Sequence, residues 1–200
     1  MKNIFFLLFL IGCSNPAELK VSELDTSQQE QVDPPEPPVF GVIANEDCSH
    51  VNVGDKACNL RLLDQNGEIW ELYDLIGNVV VLDFSTSWCG PCQTVGHYLQ
   101  PLQDDYQSMD VSIVTILIDG YVPGTPPSEY DMNDWVSSHN VTSVSVLQGA
   151  RDLVMDPTGV EGYIISSFPT FFYIDRNMKF YSGHSGYNDQ YVREKIDEAL

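Results

Sequence analysis

The pattern of apolar and polar positions assigns most of the elements before any chemistry is considered. Hydrophobic patterning begins at Phe40. The stretch "LRLLDQNGEIWELYDL", 60–75, sets Asn66-Gly67 between two apolar runs and predicts a β-hairpin. "NVVVLDFST", 78–86, is an unbroken apolar run, as expected of a strand buried on both faces. After Cys89, "GPCQTVGHYLQPLQDDYQSM" carries apolar residues at mostly helical spacing and predicts a helix ending before Asp110. Pro91 suits its first turn, whereas Pro101 lies inside the pattern and is expected to kink or divide it. "VSIVTILID", 111–119, reads as a second buried strand, and a strand–helix–strand crossover of this length implies parallel pairing. Ser128 opens an S-x-x-D capping signature before a short helix in "YDMNDWVSSHN". "SVSVL" predicts a third strand, and "RDLVMDPTGV" a short helix broken near Pro157. "PTFFYIDRNMKFYSG" reads as a hairpin turning at Asp175 to Asn177, and "NDQYVREKIDEAL" as a closing amphipathic helix. Trp135 and Tyr163 read as core aromatics.

The chain begins differently. "MKNIFFLLFLIGCSN" has a basic Lys2, then an apolar run from Ile4 to Ile11. A bilayer-spanning helix needs about 20 apolar residues, so this run fits a secretory signal instead. Its end, Leu10-Ile11-Gly12-Cys13, resembles the bacterial lipobox. That resemblance implies a signal peptide over 1–12 and acyl chains on Cys13, through which the protein would meet a membrane. Ser14 in place of Asp implies the outer rather than the inner membrane, with the protein facing the periplasm of a Gram-negative cell. Residues 14 to 40 are rich in acidic residues, Ser, Gln and Pro, and offer little to bury. We read residues 13–40 as a disordered tether with a reach of about 25–30 Å, and residues 41–200 as one folded domain.

Charge narrows the function classes. The 200-residue chain has a formal charge of −20 and only nine Lys and Arg. No basic stripe is available to neutralise phosphates, which argues against nucleic acid as a partner. With Cys13 set apart, Cys48, Cys58, Cys89 and Cys92 remain, and an even number in an exported protein suggests disulfides.

The chemistry concentrates in "LDFSTSWCGPCQTV", 82–95, where two cysteines sit at a predicted strand-to-helix junction. Closed zinc sites take four Cys or His ligands, but this motif supplies two and the four histidines are dispersed. No metal is expected, whether zinc or a copper ion shared with His184. A purely structural role is weak, because so small a loop removes little unfolded-state entropy. At a helix N-terminus, free amides and the helix dipole favour the thiolate of Cys89, the attacking species in disulfide exchange. Cys92, one turn on, is within reach to displace a mixed disulfide.

"WCGPC", Trp88 to Cys92, resembles the thioredoxin active-site motif. The resemblance extends to Asp83, which matches a buried aspartate that exchanges a proton with the second thiol, and to Phe168-Pro169-Thr170, which matches a cis-proline loop facing the cysteines. It implies a client-facing set of Trp88, Gly90, Pro91, Phe168 and Pro169, with the Phe168 backbone pairing to an incoming strand. The stretch from Val53 to Cys92 is similar to the redoxin/TlpA-like branch. This implies an α/β thioredoxin fold, a central mixed sheet flanked by helices, with an N-terminal hairpin and a central insertion supplied by residues 120–160. The implied activity is extracytoplasmic thiol-disulfide exchange, reducing disulfides of exported proteins such as apocytochromes c. Electrons would come from a membrane donor that the sequence does not name, and no cofactor is called for beyond the Cys89–Cys92 pair. Three readings compete. Thr86, three residues before Cys89, has peroxiredoxin-like spacing; a lipoprotein binding module is the non-catalytic alternative. Cys48 and Cys58 are expected to form a structural disulfide, with a second redox pair as the other option. His97 is expected at the surface rather than in catalysis.

Overall fold

The computed structural model describes residues 40–44, 47–49, 52–154 and 162–200. The expected signal, Cys13, nearly all of the tether, and Pro157 lie outside the described residues. The elements in chain order are β1 (Gly41–Ile43), β2 (Asn59–Asp64), β3 (Ile69–Glu71), β4 (Val79–Thr86), α1 (Gly90–Tyr106), β5 (Val111–Asp119), α2 (Glu129–Ser138), β6 (Ser145–Gln148), β7 (Thr170–Ile174), β8 (Phe180–Ser185) and α3 (Asp189–Ala199). All strands join one mixed sheet of order β1-β2-β6-β5-β4-β7-β8, with β3 pairing β2. β4–α1–β5 is the expected parallel crossover, and β7–β8 the expected antiparallel hairpin. α2 and β6 form the central insertion, and β6 extends the sheet by pairing parallel to β5 and antiparallel to β2.

Local chemistry explains the turns. In the β2–β3 hairpin, Asp64 Oδ1 accepts from the amides of Asn66 and Glu68 at 2.8 and 2.9 Å, and Gly67 supplies the positive φ. The β7–β8 turn repeats this device: Asp175 Oδ1 accepts from Asn177 and Lys179, and Met178 takes the positive φ. The predicted capping box of α2 is present, Ser128 and Asp131 each capping the other's amide. Residues 151–153 form a single 3₁₀ turn.

Two differences from the sequence reading are informative. β1, which pairs antiparallel with β2, is too short to leave a pattern. Pro101 does not divide its helix; α1 runs unbroken past it. Side-chain bonds on either side of the proline tie that part of α1 to its surroundings. Gln100 Oε1 accepts from the amides of Thr142, Ser143 and Val144 at 2.9–3.1 Å. Gln103 donates to the Val111 carbonyl and accepts from the Ile113 amide, so it pairs with β5 as a strand would. Both glutamines are buried, where such bonds count most.

The sheet separates two apolar layers. Leu82, Phe84, Tyr163 and the hairpin residues Leu60 and Leu62 fill one; Val79, Val81 and the inner faces of α1 and α3 fill the other. A third cluster holds Cys89, Cys92, Leu117, Met132, Trp135 and Val146, and joins α2 to the strand–helix junction. The cysteine pair is therefore held by packing from three elements. Trp135 and Tyr163 are both fully buried.

Candidate active site

β4 delivers the site. Its alternation puts Val79, Val81, Asp83 and Ser85 on the face toward α1, and its end hands the chain to Cys89, the N-cap of α1. Cys89 and Cys92 are joined as a disulfide, and the Cys92 amide points at Cys89 Sγ at 3.2 Å. That amide and the unpaired N–H groups of the first turn would lower the free energy of a Cys89 thiolate. Gly90 and Pro91 are exposed in that turn. Cys92 is fully buried and Cys89 is 5% exposed, so the N-cap residue stands nearer the surface than its partner.

Opposite the pair, the Phe168–Pro169 peptide is cis. The Phe168 carbonyl lies 3.6 Å from Cys89 Sγ, so a Cys89 thiol, once formed, has an acceptor there. The loop is held by the Gly186 amide donating to the Pro169 carbonyl and by Thr170 Oγ1 donating to the Ser167 carbonyl. A groove of ≈ 440 Å³ opens beside it, lined by Trp88, Arg151, Val154 and residues 165–168.

Asp83 is fully buried. Burial pushes its carboxyl up to about 7, even though Ser85 donates a 2.7 Å bond to Oδ1. Oδ2 has no hydrogen-bond partner. Such a group is poised to take or give a proton near neutrality.

Asp119 and Arg151 escaped the sequence reading. Asp119 ends β5, fully buried, and accepts from Trp88 Nε1 at 2.9 Å, the Gly124 amide at 2.9 Å and Arg151 Nε at 2.9 Å, with Arg151 Nη2 closing a bidentate pair. Burial opposes its charge, but the bonds from Arg151, Gly124 and Trp88 outweigh that and hold its carboxyl below the ordinary range. A signal did exist: an aspartate ending an otherwise apolar strand needs a partner. His97 is exposed, with its ring 4.6 Å from that of the buried His139. Among the described residues, no group of three His, Cys, Asp or Glu is arranged to hold a metal.

Cys48 and Cys58 form a second disulfide. Its segment lies against the β7–β8 turn, with Gly54 donating to Phe180 O and Ala57 to Met178 O. We expect Cys48→Ser/Cys58→Ser to lower stability by about 3 kcal/mol, read from urea unfolding, and to leave exchange activity unchanged. Loss of turnover in a folded double variant would indicate an electron relay instead.

Comparisons with known proteins agree with this geometry. The thiol-disulfide oxidoreductase ResA of Oceanobacillus iheyensis is 34% identical over 88 residues, which are 41% of this chain and 46% of that protein. The match thus spans about half the length of that relative. ResA of Halalkalibacterium halodurans is 24% identical over 77% of this chain and 80% of its own. Among solved structures, a Chlorobium tepidum protein described as thiol:disulfide interchange protein DsbE superposes with a TM-score of 0.57 at 28% identity, covering 74% of this chain and 97% of that one. The thioredoxin domain of a Bacteroides vulgatus thiol-disulfide oxidoreductase superposes at 0.60 with 20% identity, over 75% and 99% of the two chains, and shows the shared fold. The family model described as AhpC/TSA matches residues 53–181, from the segment below the second disulfide through both halves of the site, and this chain belongs to the AhpC/TSA family.

Proposed function

We propose that this protein is an extracytoplasmic thiol-disulfide oxidoreductase that reduces disulfides of exported proteins, held at a membrane through acylated Cys13. The observation that carries the reading is a cystine at a helix N-terminus, its Cys89 sulfur against the carbonyl that precedes a cis-proline. The relatives named thiol-disulfide oxidoreductases support it.

In the reduced protein the Cys89 thiolate attacks one sulfur of the client disulfide. The client's S–S bond breaks, and its other sulfur leaves with the electron pair and takes up a proton. Cys92 gives its proton to Asp83 and attacks Cys89 Sγ. The mixed disulfide breaks, the second client sulfur leaves as a thiolate and is protonated, and Cys89–Cys92 closes. Two electrons have then passed from the pair to the client, and a membrane donor must restore the dithiol. Trp88, Gly90, Pro91, Phe168 and Pro169 form the surface that meets the client chain.

The Gly-Pro dipeptide between the cysteines resembles that of reducing members, so we expect a potential near −270 mV rather than the roughly −120 mV of a strong oxidant. Equilibration against glutathione measures it, and a value near the oxidant end overturns the direction. In cells, Cys92→Ser is expected to accumulate client mixed disulfides on Cys89; none would mean that no protein disulfide is attacked. Thiol peroxidase is the second reading, because Thr86 Oγ1 is buried without a partner three residues before Cys89. Peroxide consumption by the reduced protein tests it.

A further inference from the structure

The oxidoreductase reading leaves unused one charged group in the groove next to the cis-proline loop. Arg151 stands on the rim of the groove that Trp88 and Phe168 also line. Its Nε and Nη2 are committed to Asp119, but Nη1 has no partner among the described residues. The pair is unequally buried, the Asp119 side chain at 0% exposure and the Arg151 side chain at 39%. Its negative end is thus sunk in protein and its positive end meets the groove. Among the described residues, no other cation and no carboxylate lines that space; the remaining polar side chains there are the hydroxyls of Ser166 and Ser167. In a chain of charge −20, this cation shares its groove with Phe168, whose carbonyl lies 3.6 Å from Cys89 Sγ. Asp119 also holds the Trp88 indole, so the guanidinium and the aromatic wall are fixed by one carboxylate. A planar guanidinium held on one edge offers its other edge for a charge-assisted bond with an oxygen anion.

We propose that Arg151 is a specificity-determining residue, receiving a carboxylate on the client polypeptide next to the disulfide that exchanges with Cys89. The proposal rests on the oxidoreductase reading, and its test separates the two. Three synthetic peptides, each with one disulfide flanked by Glu, Gln or Lys, are reduced by the full protein, and kcat/KM is compared within each variant. The wild type is expected to favour the Glu peptide over the Gln peptide by about fivefold, and over the Lys peptide by more. The preference should shrink in 0.5 M salt. In Arg151→Gln the three values should fall within about twofold of one another. If that variant does not fold, Asp119→Asn/Arg151→Gln leaves no buried charge unpaired and should show the same levelling. Equal treatment of the three peptides by the wild type, or a preference that survives loss of the guanidinium, overturns the proposal. Failure to reduce any of them faster than a Cys89→Ser control overturns the underlying reading instead.

Discussion

Cys89→Ser is expected to reduce insulin-disulfide reduction to the rate of the enzyme-free reaction. The loss is complete if exchange runs as proposed, because both half-reactions then use this sulfur: it attacks the client, and Cys92 attacks it in turn. A serine hydroxyl at the same N-cap position can accept the Cys92 amide and so preserve α1. It cannot become an anion near neutral pH, and it cannot form the mixed disulfide. The helix terminus that favours a thiolate by lowering its pKa does nothing comparable for an alcohol. Cys92→Ser should behave differently, attacking once and then holding the client. Measuring turnover for both variants, with circular dichroism to confirm the fold, checks the assignment. Residual turnover in folded Cys89→Ser would move the attacking role elsewhere.

Asp83→Asn is expected to have opposite effects on stability and on turnover. The folded protein holds this carboxyl up to about 7, against 3.8 for the free group, because burial penalises the anion. Between those values the folded state binds more protons than the unfolded chain, so this group's contribution to stability falls as pH rises from about 4 to about 7 and is fully lost above. The whole difference is about 4 kcal/mol. The substituted amide never ionises, so the variant should gain stability relative to wild type across that window and keep the gain above pH 7. The comparison must be made variant against wild type, because other groups slope the other way. Burial lowers the pKa values of His139 and His184, which raises stability as pH passes upward through the histidine range. The lowered carboxyls of Asp119 and Asp131 act at lower pH, where protonation removes their support. Turnover should fall in the same variant by roughly 10²-fold, the usual scale for a positioned proton acceptor. Urea midpoints from pH 4 to 8, together with insulin reduction, read both effects. A pH-independent stability difference would show that Asp83 does not titrate there.

Most of the fold was legible because its signals are local. The Asn66-Gly67 turn, the Ser128 cap and the apolar runs of β4 and β5 are each written within a few neighbouring residues. The thiol pair is legible for the same reason, because it lies where a strand hands over to a helix; Asp83 and the Phe168-Pro169 loop came only from the resemblance that the pair's motif carries. What escaped was set by distant pairing. Asp119 meets Trp88 and Arg151 across 31 and 32 positions of chain. Nothing beside Arg151 in the sequence marks the acceptor it will find. Pro101 departs from its local reading because proline's lost amide is a local cost, whereas the bonds of Gln100 to residues 142–144 and of Gln103 to β5 come from tertiary packing.

Those two glutamines have a mechanical consequence. They bolt the rear of α1 to the sheet and to the segment before β6, so the helix cannot slide or roll as a rod when its front bond opens or closes. Any adjustment when the Cys89–Cys92 bond opens is then expected ahead of Val95, in the first residues of α1, and in the loop facing them. On that expectation the rest of the molecule serves as a fixed mount from one delivery to the next.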